Sequence, residues 1–115
     1  MSDTKKIYKD RGQNAIYMFW HKEGQGCYVG STFNCKERMW AHNQHVKQKK
    51  YNHTDLYVFM NKNEVKDIRN HLHILEELPD DCSKELMRDR EQMYIELFNP
   101  NLNMFDAVAP RKRKT

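Results

Sequence analysis

Glu91 is a carboxylate in an unusual place for a surface charge. It lies in the stretch LMRDREQMYIELF, where Leu86, Met87, Met93, Tyr94, Leu97 and Phe98 recur at helical spacing, and it falls at the margin of that apolar arc. Arg88, Asp89, Gln92 and Glu96 take the polar side. A carboxylate at the margin must be paired, wet or bound to a metal, and an ion pair with Arg90 or Arg38 satisfies the pattern as well as a functional site does. A second set is Arg38, His42 and His45, spaced to project from one flank of a helix. A guanidinium holds phosphate oxygens in a fork and an imidazole donates or moves a proton, so the trio suits a phosphate; it equally suits a solvated face with incidental histidines. Tyr17 and Tyr28 form a third set, one in each of AIYMFW and CYVGST. Tyrosine is common in strands, where it packs its ring and wets its hydroxyl, so the pair alone says little. His42, His45, His53, His71 and His73 include metal-ligand spacings, but without CxxC pairs a closed structural zinc site is not evident.

These side chains need elements to hold them. Residues 14–20 and 27–31 alternate and favour strand, with Gly24 and Gly26 between them, which predicts an antiparallel hairpin. Ile16, Met18 and Trp20 then face one way, and Ala15, Tyr17 and Phe19 the other. Asn34 followed by Glu37 has the spacing of an N-cap and its partner, so a helix is expected from there to about Val46, with Cys35, Met39 and Val46 as its apolar stripe. A short helix over 55–61, a strand over 72–76 and a helix over 83–98 follow, the last stopped by Pro100. The order β-β-α-α-β-α implies an α/β (α+β) domain with a small antiparallel sheet packed with helices. The expected organisation is a polar leader over 1–13, one domain over 14–108 and a basic tail over 109–115.

The chain of 115 residues carries a net charge of +4, all of it accounted for by Arg111, Lys112, Arg113 and Lys114. Within the rest, residues 1–75 hold the excess of Lys and Arg and residues 76–110 the excess of Asp and Glu. A polyanion such as DNA would be drawn to Lys36, Arg38, His45, Lys47, Lys49 and Lys50, with Arg111 and Lys112 as a second contact. Cys27, Cys35 and Cys82 are odd in number and lack CxxC spacing, which argues against a disulfide scaffold and fits a reducing, intracellular compartment. No apolar run approaches a membrane span, and the N-terminus lacks a signal-peptide core.

Ala15-Ile16-Tyr17 and Tyr28-Val29-Gly30 resemble the paired signature of GIY-YIG nucleases, with Ala15 in place of the first Gly and Val29 in place of the central Ile. The likeness continues through Ser31, Arg38 and His42, then LHILEELP, RDREQMYIELFNP and the Asn of NPNLNMFDA. It spans Asn14 to Ala107 and is strongest to the nuclease domains of phage-type homing endonucleases.

The resemblance implies a three-stranded antiparallel sheet flanked by helices, and a metal-dependent DNA endonuclease with one active site per chain. It assigns Glu91 as the ligand of one Mg²⁺ or Mn²⁺ ion, a hard cation that keeps several waters. Arg38 would hold the phosphoryl oxygens. Tyr17 would be the general base and Tyr28 would position water or phosphate, although a phenol of pKa about 10 is a poor base at neutral pH and His42 is a rival. Ser31, His53 and Asn103 would support the site. One site cuts one strand, so double-strand cleavage would take a dimer or successive nicks. The other reading is a nucleic-acid-binding module of this fold without catalysis.

Overall fold

Alternation in the first hairpin sends its residues to two separate cores. Strands β1 (Ala15–His21) and β2 (Gly26–Thr32) pair antiparallel with Tyr17 opposite Gly30 and Phe19 opposite Tyr28. Strand β3 (Leu72–Glu77) adds antiparallel to the other edge of β1, giving the order β2-β1-β3, with a register shift between Ile16 and Tyr17. Ala15, Tyr17 and Phe19 face helices α1 (Cys35–Gln48) and α2 (Asp55–Lys62), where they pack with Cys35, Met39, Leu56 and Met60. Ile16 and Val29 face helix α3 (Lys84–Phe98) and meet Met87 and Ile95. The result is a sheet between two helical layers, the three-stranded α+β arrangement expected from the element order. Each fully buried large apolar side chain contributes about 1.5–3 kcal/mol of transfer free energy, so both layers are held by burial rather than by the few surface ion pairs.

The computed structural model describes residues 12–49, 54–104 and 107. Most of the polar leader, Lys50, His53, Arg111, Lys112 and the basic tail lie outside the described residues.

Local chemistry sets the helix ends. Asn34 accepts the Glu37 amide at 3.2 Å and Ser83 accepts the Leu86 amide at 3.0 Å, each filling an orphan donor of the first turn. Helices α1 and α3 stop at Lys49 and Asn99 in the left-handed conformation, with φ of 57° and 46°. Asparagine tolerates that conformation through its short polar side chain; for lysine it is a strained position.

Two expectations are corrected. On α3 the sheet takes the line Met87, Glu91, Ile95, so Leu86, Met93, Leu97 and Phe98 are exposed, Leu97 at 67%. Hydrophobic content pulled the inferred arc away from the face that packs, because a carboxylate occupies the centre of that face. On α1, His42 is buried with Met39 and Val46 and only 1% exposed, so it lies inside the stripe whose margin carries Arg38 and His45.

Candidate active site

Strand β2, helix α3 and the segment after it enclose a cleft of about 600 Å³. Tyr28 and Ser31 come from β2, Glu91 from α3 and Asn103 from the C-terminal segment, so residues far apart in sequence line one wall. Glu91 reaches the cleft because it replaces an apolar residue on the sheet-facing line of α3. It is half-buried, and its Oε1 accepts a short hydrogen bond from the Ser31 hydroxyl. Burial pushes the Glu91 carboxyl above its ordinary pKa, while the Ser31 hydrogen bond and the charge of Arg38 pull it back. Arg90 is engaged elsewhere, its guanidinium 2.8 Å from Glu76 on β3, with the Tyr94 hydroxyl donating to the same carboxylate at 3.2 Å. That removes the Arg90 pairing as an account of Glu91.

Behind Tyr28 lies a second layer of polar groups. Tyr17 is wholly buried, and its hydroxyl stands 2.9 Å from His42 Nε2. His42 Nδ1 is 2.7 Å from the Tyr57 hydroxyl, which in turn is 3.2 Å from His45 Nδ1. Burial raises the pKa of Tyr17 well above that of a free phenol and raises Tyr28 too, whereas Arg38, half-buried on α1, lowers both through its charge and hydrogen bonding. Burial, helped by Arg38 and His45, holds His42 at a pKa of about 3, so its ring is neutral at any physiological pH.

Gly30 makes the phenol layer possible. A Cβ at Gly30 would stand 2.5 Å from the Tyr17 hydroxyl oxygen and 3.0 Å from Tyr28 Cε2, so the Tyr17 ring crosses β2 where there is no side chain. The outer edge of β2 is closed by asparagines. Asn101 Oδ1 accepts from the Cys27 amide at 2.8 Å, the Leu102 amide donates to the Cys27 carbonyl at 2.9 Å, and Asn103 bonds both backbone groups of Val29. Asn101 and Asn103 thus take successive places along one strand edge, and Asn103 is the one at the cleft.

Of the residues singled out in the sequence, Tyr28, Ser31, Glu91 and Asn103 line the cleft, and Tyr17, Arg38 and His42 form the layer behind it. His45 turns inward to Tyr57. Lys47 and Lys49 line a different depression of about 530 Å³ with Lys66, and Lys36 lies on the surface beside Trp40; neither group borders the cleft. Lys84, not singled out in the sequence, and Arg88, placed there only on the polar side of its helix, do border it. Their signal was present: Lys84, Arg88 and Glu91 are four and then three apart, the spacing of one helix face.

Among the described residues no three His, Cys, Asp or Glu side chains come together to enclose a metal ion. Glu91 instead offers hard oxygen on an open cleft, with more lone pairs than its Ser31 bond uses. That donor fits a Mg²⁺ or Mn²⁺ ion that fills its shell with water and phosphate oxygens, and does not fit a closed zinc cage. Cys27, Cys35 and Cys82 form no disulfide with one another, and no helix among the described residues is long and apolar enough to cross a membrane.

A hairpin presenting two tyrosines, a helix arginine beside them and one carboxylate in the same cleft thus come together on a small α+β sheet. The family model described as GIY-YIG catalytic domain matches residues 13–103, and the chain belongs to that family. Among solved structures it is similar to the catalytic domain of the intron endonuclease I-TevI, solved as a point mutant, with a TM-score of 0.70 and 24% identity over 83% of this chain and 96% of that one. That likeness is one of fold. No curated protein sequence matches significantly.

Proposed function

We propose that this chain is a divalent-cation-dependent DNA endonuclease, hydrolysing phosphodiester bonds at the cleft between β2 and α3. The observation that carries the reading is Glu91 placed at the centre of the sheet-facing line of α3, in one cleft with Tyr28 and hydrogen-bonded to Ser31.

Hydrolysis of a phosphodiester needs a deprotonated water, compensation of charge on the phosphoryl oxygens and stabilisation of the leaving 3′ oxygen. Glu91 would hold the one Mg²⁺ or Mn²⁺ ion, and that ion, when bound, supplies positive charge at the leaving oxygen. Ser31 orients the carboxylate by donating to Oε1. Arg38 would hold the phosphoryl oxygens, and it offsets part of the burial that raises the pKa of both phenols. The phenol pair receives the proton of the attacking water: Tyr28 is the member on the cleft wall, and Tyr17 is the member whose own O–H has a base behind it, His42 Nε2 at 2.9 Å. His42 has no surface of its own to offer substrate, so it acts through Tyr17 rather than as an independent base. Asn103 fixes the strand that carries Tyr28. Lys84 and Arg88 on the cleft rim would hold flanking phosphates.

The test is conversion of supercoiled plasmid to nicked and linear forms, with Mg²⁺, Mn²⁺ or EDTA, for wild type and Glu91→Ala. The expected result is metal-dependent nicking that disappears in the variant while gel-shift affinity for DNA persists. A variant that nicks as fast as wild type would remove Glu91 from the site. A wild type that binds DNA but cuts with neither metal would favour a binding module of the same fold.

A further inference from the structure

We propose that Tyr57 and His45 complete a proton relay that leads from the phenol pair through His42 to the partly exposed His45 ring. The inference rests on the nuclease reading and assigns two residues that act on the reaction through His42 and Tyr17, as positioning residues.

The geometry is a continuous chain of hydrogen-bonding atoms: Tyr17 hydroxyl to His42 Nε2 at 2.9 Å, His42 Nδ1 to Tyr57 hydroxyl at 2.7 Å, and Tyr57 hydroxyl to His45 Nδ1 at 3.2 Å. Tyr17, His42 and Tyr57 are all buried, so water cannot carry the proton for them; His45 is half-buried. Every member is both donor and acceptor, which a wire requires and a simple satisfied core does not.

The relay takes the tautomer in which the Tyr17 O–H points at His42 Nε2; Arg38, which has only donors, meets the phenol at its oxygen lone pairs and does not compete for that acceptor. A neutral imidazole accepting at Nε2 carries its proton on Nδ1, donates to the Tyr57 oxygen, and leaves the Tyr57 O–H for His45 Nδ1. The charged and titratable groups around the wire are Arg38 and His45 on α1, Tyr17 on β1, Tyr28 on β2 and Glu91 on α3.

The step balances without a buried cation. As Tyr28 takes a proton from the attacking water, its own proton passes to the Tyr17 oxygen, the Tyr17 proton moves to His42 Nε2, the His42 Nδ1 proton moves to the Tyr57 oxygen, and the Tyr57 proton moves to His45 Nδ1. Each O–H or N–H bond that breaks is replaced by one that forms on the next atom. His42 changes tautomer but stays neutral, and the single positive charge appears on His45, which returns a proton to solvent. This resolves how a phenol whose acidity is weakened by burial serves as a base: it never has to stand as an isolated phenolate.

The test uses the full chain. With ¹⁵N-labelled histidine, NMR should show His42 protonated at Nδ1 and bare at Nε2; the opposite tautomer overturns the relay whether or not the chain cuts DNA. In single-turnover plasmid nicking with Mn²⁺, Tyr57→Phe, which keeps the ring and removes only the hydroxyl, and His45→Ala should each slow cleavage about tenfold or more at unchanged DNA affinity. The solvent deuterium effect should change from a many-proton to a single-proton inventory in both. Added imidazole should restore His45→Ala and not Tyr57→Phe. If both variants nick at the wild-type rate, or only Tyr57→Phe is slowed and its proton inventory is unchanged, the relay is wrong and Tyr57 merely packs. A wild type that does not nick overturns the nuclease reading itself, a result separate from either of those.

Discussion

Asn103 holds Val29 by both of its backbone groups: Oδ1 accepts the Val29 amide at 2.9 Å and Nδ2 donates to the Val29 carbonyl at 2.8 Å. The side chain thereby stands in for a neighbouring strand at the edge of β2, one residue from Tyr28. Asn103 is 4% exposed, so Asn103→Ala leaves two buried backbone groups unpaired where no water reaches them. The expected loss is about 2–4 kcal/mol in urea unfolding. Asn101→Ala, at an exposed position, should cost about 1 kcal/mol or less.

Gly30 and Tyr17 face each other across the hairpin, and the methyl of Gly30→Ala would fall 2.5 Å from the Tyr17 hydroxyl oxygen. Tyr17 has no free space and is tied to His42, so its ring must shift. The variant should lose about 1–3 kcal/mol of stability and most of its nicking activity. Its Tyr17 to His42 hydrogen bond, followed through the His42 ring nitrogens by NMR, should be lost with the activity.

Burial and the Ser31 hydrogen bond act in opposite directions on the Glu91 carboxyl. The hydrogen bond favours the carboxylate against burial, so Ser31→Ala raises the Glu91 pKa further and leaves more of it protonated at a given acidic pH. A proton and a cation compete for the same oxygens. The acid limb of Mg²⁺-supported nicking should therefore move to higher pH in Ser31→Ala, with activity at alkaline pH largely kept. A pH–rate profile of the two proteins side by side decides it; an unmoved limb would detach the limb from Glu91.

Lys84 and Arg88 border the cleft, whereas Lys47 and Lys49 do not. If the rim cations hold flanking phosphates, Lys84→Gln and Arg88→Gln each reduce DNA affinity and lower the slope of log affinity against log salt by about 1. Lys47→Gln should leave the slope nearly unchanged. Equal effects from all three would point to a diffuse basic surface instead of a strand path along α3.

The amino-acid sequence by itself determined the elements and the identity of the family. Asn34 and Ser83 as caps, the alternation of β1 and the stop at Pro100 are local effects of backbone hydrogen bonding and side-chain period, readable without knowing what lies opposite. The tyrosine pair, Arg38 and Glu91 were likewise marked by type and spacing. Tertiary structure decided which face of α3 packs, because the sheet accepted a line with Glu91 at its centre, while the more apolar line through Leu97 stayed exposed. It decided that His42 lies inside and reaches Tyr57, that Arg90 serves Glu76, and that Asn103 closes β2. Each of these is a pairing of polar groups across long stretches of chain or between different elements. Periodicity records the face a residue shares, but burial and hydrogen-bond satisfaction are settled only by what the fold brings against that face.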